Sequence, residues 1–164
     1  MKSLVAPILL LGAIIVIAMV GLASKDQPIS ATKAAKILEP YLANIEAPGA
    51  TVKDAGGQDI ELGTVIDHGL ITFWSSACGE CDTQLTDLGD FTAANPNFNS
   101  VLVGVKEDPN SAKAKTLPAS YFDDGTAFQK WSGTMPSSYY IESGQIKYFF
   151  PGRISKEHLE ALKK

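Results

Sequence analysis

Leu70-Ile71-Thr72-Phe73-Trp74-Ser75-Ser76-Ala77-Cys78-Gly79-Glu80-Cys81 is the stretch on which the reading of this chain turns. Its first five residues are apolar and β-preferring and predict a short buried strand; the 2 cysteines of the chain follow at once as a CxxC pair. Residues three apart on the first turn of a helix share a face, so a helix starting here brings the two sulfurs within reach of a disulfide. Free N–H groups and the dipole at a helix start stabilise an anion. Cys78 is therefore expected to be the attacking thiolate and Cys81, one turn deeper, the resolving thiol.

Two plainer readings compete. A CxxC is half a zinc site, but a closed site wants four ligands, and only His68 and His158 remain, in no recognisable ligand spacing. A structural bridge over so short a loop would restrain the unfolded chain little. Redox chemistry is the reading that uses the preceding strand.

Leu4 to Ala23 is an uncharged apolar run of twenty residues, long enough as a helix to cross a hydrocarbon core of about 30 Å. Lys2 and the terminal amine precede it, which predicts that the start stays in the cytoplasm and the rest is exported. A cleaved signal peptide ending near Gly21-Leu22-Ala23 is the alternative, although the run exceeds the usual length of such a segment. The expected organisation is a cytoplasmic start (1–3), a signal anchor (4–23), a linker with an N-terminal helix (24–50) and one α/β domain (51–164). With 18 acidic against 14 basic residues, a net charge of −4 and no basic stripe, nucleic acid is not an expected partner.

Ser30 is placed to cap a helix running from Ala31 through Leu38, Leu42 and Ile45, with Pro40 kinking or dividing it. Strands are expected around Thr51 to Lys53 and Ile60 to Leu62. Leu70 to Trp74, a helix from Gly79 to about Ala94, and Val101 to Val105 make a βαβ unit. A strand near Phe122, a helix over Thr126 to Trp131, a hairpin of Ser138 to Ile141 and Gln145 to Phe149 about Ser143-Gly144, and a last helix capped by Ser155 complete the list.

That order, with Thr134-Met135-Pro136 ahead of the hairpin, resembles the thioredoxin fold, an α/β/α arrangement on a mixed sheet. The apolar start and the Phe73-Trp74 before the CxxC resemble the TlpA/ResA-like branch of extracytoplasmic thiol-disulfide oxidoreductases. The likeness spans roughly Gln58 to Lys164. It implies a redox disulfide between Cys78 and Cys81, a cis Met135-Pro136 bond bordering the pair, and substrate contacts from Trp74, Ala77, Met135 and Pro136. It further implies no cofactor or metal, exported protein disulfides such as those of apocytochrome c as substrates, and a membrane thiol transporter as electron source.

Departures from that pattern also count. Ala77 stands where a tryptophan is usual, which opens the rim. Thr72 and Gln84 stand where an acid or amide and a glutamate are common, so neither supplies an acid for the resolving thiol; Glu80 and Asp82 are the nearest replacements. Glu80 beside the pair opposes further negative charge and favours a reducing couple, while the helix end pushes the other way. Copper handling by the two cysteines with His68, and a non-catalytic binding domain, are the rival functions. A peroxidase is disfavoured by Ile71 in place of the expected proline.

Overall fold

The structure is a computed structural model, described for residues 28–117, 120–131 and 133–163. Chain order runs α1 (Ala31–Leu38), β1 (Leu42–Glu46), β2 (Thr51–Lys53), β3 (Asp59–Glu61), β4 (His68–Trp74), α2 (Gly79–Ala94), β5 (Ser100–Val105), α3 (Ala112–Thr116), β6 (Ser120–Asp123), α4 (Thr126–Trp131), β7 (Ser137–Glu142), β8 (Gln145–Pro151) and α5 (Lys156–Leu162). The expected signal anchor at 4–23 lies outside the described residues, among which no helix is long and apolar enough to cross a membrane. Residues Ala31–Lys164 form one compact unit.

The eight strands of the described residues join one mixed sheet in the order β1-β8-β7-β4-β5-β6-β2-β3. The centre is parallel, with β4 on β5 and β5 on β6; β7 runs antiparallel beside β4, and β8 antiparallel beside β7. Because successive side chains of a strand point to opposite faces, β4 feeds two cores. Leu70 and Trp74 pack with Leu102, Tyr140 and the inner faces of α1, α2 and α5. Ile71 and Phe73 pack with Val101, Val103, Val105, Tyr139 and α4. Helices thus cover both faces, which is why β4 and β5 read as unbroken apolar runs and not as alternating ones.

The start of the unit departs from expectation. The helix predicted to continue through Leu42 and Ile45 stops at Leu38, gives one 3-10 turn over Glu39–Tyr41, and passes into β1 against β8. Pro40 supplies the reason: it has no N–H for the helical ladder and disfavours a helical residue before it. Leu42 and Ile45, which three-residue spacing assigns to a helix face, lie on the edge strand and are half exposed. A short helix, α3, also stands in the polar stretch after β5, its first turn capped by Ser111, whose hydroxyl accepts from Ala114 N–H at 3.2 Å.

Gly69 shows how tightly β4 is seated. Its φ is +149°, and a Cβ there would lie 2.4 Å from Ile66 Cδ1 and 2.5 Å from the Asn99 carbonyl. Only glycine fits both the backbone and the space.

Candidate active site

Strand β4 ends at Trp74, and a turn closed by the Cys78 N–H on the Ser75 carbonyl (3.1 Å) delivers the first cysteine to the mouth of α2. Cys78 is the N-cap residue, extended at φ −102° and ψ 112°, and its side chain caps nothing in the helix. Its sulfur is instead joined to Cys81, with the two Cα atoms 5.3 Å apart. The pair is asymmetric: Cys78 is partly exposed, whereas Cys81 is 0 % exposed in the core with Leu85, Leu88 and Ile154. A partner molecule can reach one sulfur and not the other. A thiolate on Cys78 would face the positive dipole end of a sixteen-residue helix.

A groove of about 520 Å³ opens beside Cys78, lined among others by Ala77, Val105, Glu107, Phe128 and Met135. The Met135-Pro136 peptide bond is cis. Pro136 is buried, and its carbonyl accepts a hydrogen bond from Gly152 N–H at 2.8 Å, which ties the turn before β7 to the end of β8. Met135 is partly buried and packs against both cores. Ala77 is exposed on the rim, where a larger ring would narrow the entrance.

Other residues singled out in the sequence fall as follows. Trp74 is 0 % exposed. Alternation along β4 turns its ring into the core shared with Cys81, with Lys113 Nζ 5.2 Å from the ring centroid, so it does not line the groove as the expected substrate contact. Glu80 is exposed on the first turn of α2; Asp82, next to it, pairs with Lys113. The Thr72 hydroxyl is buried 2.9 Å from that of Ser138. Gln84 is fully buried, and its Oε1 accepts from Ile154 N–H at 2.7 Å while Nε2 finds no hydrogen-bond partner among the described residues.

The histidines stand away from the cysteines. His68 opens β4 and Cys78 follows its far end, roughly 20 Å along a seven-residue strand. His68 Nε2 lies 2.8 Å from the Tyr140 hydroxyl, whose pKa burial pushes up to about 12, with Glu142 and Tyr148 adding to the shift. His158 closes a capping box with Ser155 at the start of α5, and burial holds its imidazole below the ordinary 6.5. Among the described residues, no group of three or more His, Cys, Asp or Glu side chains is placed to hold a metal ion.

Glu107 is the site residue that sequence reasoning missed. It follows β5 by two residues, and one carboxylate oxygen accepts from Ser75 Oγ (2.9 Å), Ser76 N–H (2.6 Å) and Ser76 Oγ (2.9 Å). The available signal was positional. In α/β sheets, sites collect beyond the carboxyl ends of the parallel strands, and β4 and β5 end side by side.

No family model and no curated protein matches the chain. Solved structures do. StoA from Bacillus subtilis is 24% identical, with 72% of this chain and 99% of that chain covered and a TM-score of 0.52. The thioredoxin domain of a thiol-disulfide oxidoreductase from Bacteroides vulgatus is 17% identical over 74% and 96%, with a TM-score of 0.58. A secreted Mycobacterium tuberculosis disulfide oxidoreductase, described as homologous to E. coli DsbE, is 16% identical over 70% and 93%, with a TM-score of 0.57. Likeness at this level of identity concerns the backbone: the chain has a thioredoxin-like α/β fold on a mixed sheet, with a Cys78–Cys81 disulfide where its central parallel strand meets a helix.

Proposed function

We propose that this protein is a thiol-disulfide oxidoreductase that works outside the cytoplasm, anchored by Leu4 to Ala23, and reduces disulfides of exported proteins, apocytochrome c among them. The observation that carries the reading is the asymmetry of the pair: a reachable Cys78 at the N-cap of α2 bonded to a buried Cys81. The solved structures of similar fold that are described as disulfide oxidoreductases support it.

In the reduced protein the Cys78 thiolate attacks one sulfur of a substrate disulfide. A mixed disulfide forms and the other substrate sulfur leaves as a thiolate, which takes a proton from solvent. Cys81 then loses its proton and attacks the Cys78 sulfur, closing the Cys78–Cys81 bond and releasing the second substrate thiolate. Two electrons pass from the cysteine pair to the substrate, and a membrane dithiol carrier returns them. Met135 and Ala77 line the groove in which an extended substrate segment would lie along the sulfur, and buried Pro136 holds the turn that presents Met135. Glu80, exposed on the first turn of α2 between the two cysteines in sequence, is the carboxylate proposed for proton exchange with the pair.

The test is reduction of insulin by the full chain with a dithiol as electron donor. A rate well above that of the dithiol alone, abolished by Cys78→Ser, is expected. A rate equal to the dithiol alone would remove the reading. Location is tested separately by a reporter fused after Lys164, expected to be active only if it works in the exported compartment.

A further inference from the structure

We infer that Glu107 is a positioning residue for thiol exchange, one that fixes the loop ahead of Cys78 and withholds hydrogen-bond donors from its sulfur. The inference rests on the exchange reading above. Between β4 and Cys78, four donors are held by this arrangement: the Ser75 hydroxyl, the Ser76 amide and hydroxyl, and the Ala77 amide. The first three donate to Glu107 Oε1 at 2.6 to 2.9 Å, and the fourth donates to Ser75 Oγ at 3.3 Å. Every one is turned onto Glu107 or onto the serine that Glu107 holds. A thiolate on Cys78 is left with the first-turn amides of α2, and it also shares its groove with the Glu107 charge.

The fold makes room for this arrangement. Gly104 lies beside Trp74 in the parallel register, and a Cβ on it would come 3.1 Å from Glu107 Cβ and Cγ and 3.2 Å from Trp74 Cζ2. The glutamate stem runs over the one position of β5 that has no side chain. The other charges around Cys78 are Glu80 and Asp82 on α2, Lys106 beside Glu107 in the groove, and Lys113 of α3, which pairs with Asp82. Lys106 runs over Gly125, whose added Cβ would lie 3.1 Å from Lys106 Cε.

Withheld donors and a nearby carboxylate act in one direction: both disfavour the Cys78 thiolate. A less acidic thiol is a stronger nucleophile once ionised and a slower leaving group, and its disulfide is less oxidising. The two-electron exchange itself is unchanged. Glu107 therefore holds the couple toward the reducing side.

The experiment titrates Cys78 in the full chain carrying Cys81→Ala, using thiolate absorbance, which needs no substrate. Glu107→Ala should lower the midpoint by about one pH unit, and Glu107→Gln, which keeps the side chain's size and an acceptor oxygen but not the charge, by about half that. With both cysteines present, Glu107→Ala should shift the equilibrium with glutathione toward the dithiol by up to about tenfold. A midpoint unmoved or raised in both variants would overturn the inference, whatever happens to their stability. Insulin reduction separates the two proposals, since an inert wild-type chain would remove the exchange reading while a flat titration would remove the role of Glu107.

Discussion

Gln84 and Ile154, seventy positions apart, are joined by a 2.7 Å hydrogen bond from the Ile154 N–H to the Gln84 side-chain oxygen. Two residues earlier, the Gly152 N–H holds the Pro136 carbonyl. One short segment, 152–154, therefore ties the helix of the cysteines to the turn of Met135 and Pro136. Gln84→Ala should leave the Ile154 N–H unpaired and reduce stability by about 1–3 kcal/mol in urea denaturation. Gln84→Met, of similar length but with no comparable acceptor, should fall nearly as far. Wild-type stability in the methionine variant would show that packing and not the hydrogen bond matters there.

Burial of one sulfur and exposure of the other set the order of attack. Cys81→Ala should trap mixed disulfides with protein substrates, visible as adducts on non-reducing gels, because nothing resolves them. Cys78→Ala should trap almost none, since Cys81 is 0 % exposed. The opposite pattern would reverse the assignment.

Asp123 organises the wall of the groove. Its two carboxylate oxygens accept from Ala127 N–H at 3.0 Å and Phe128 N–H at 2.9 Å, closing the first turn of α4, and Phe128 lines the groove. Asp123→Ala is expected to cost about 2 kcal/mol, as loss of a strong helix cap does. That corresponds to a fall in Tm of roughly 4–8 °C for a chain of this size. A loss under about 1 °C would show the turn to be held by packing alone.

His158 gives the protein a pH dependence of known sign. Burial keeps the folded imidazole below its ordinary 6.5, so the unfolded chain binds a proton first as pH falls. This contribution to stability is present above about pH 6.5 and is lost on acidification toward the folded pKa. Urea midpoints should therefore drop between about pH 7.5 and 5.5. Glutamine can serve as the third helical residue of a capping box, so His158→Gln should keep the box with Ser155 and flatten the slope. An equal slope in that variant would assign the effect to other groups.

Legibility followed the range of the interactions. Strand β4, the helix behind Cys78, the Ser143-Gly144 hairpin and the Ser155 cap are each written within about ten neighbouring residues, and they stand where the sequence places them. Leu42 and Ile45 misled because their spacing suits a helix, while the partner that makes them a strand is β8. Glu107 was one charged residue in a polar stretch. Its meaning comes from serines more than thirty positions earlier, and local pattern carries no trace of such a pair. Gln84 was visible as a departure from the family pattern, but its bond to Ile154 was not.

The pairing of β1 with β8 also sets an order of assembly. Leu42 meets Tyr148, so the first strand of the sheet must close a loop of roughly a hundred residues before it gains a neighbour. The β4–α2–β5 unit, by contrast, can form from about forty consecutive residues. The segment bearing both cysteines can thus fold while Leu42–Glu46 is still an unpaired edge waiting for the end of the chain. A chain truncated before Gln145 would leave β1 open to pairing with another molecule and would also strip the cysteine helix of Ile154 and the last helix, which cover Cys81.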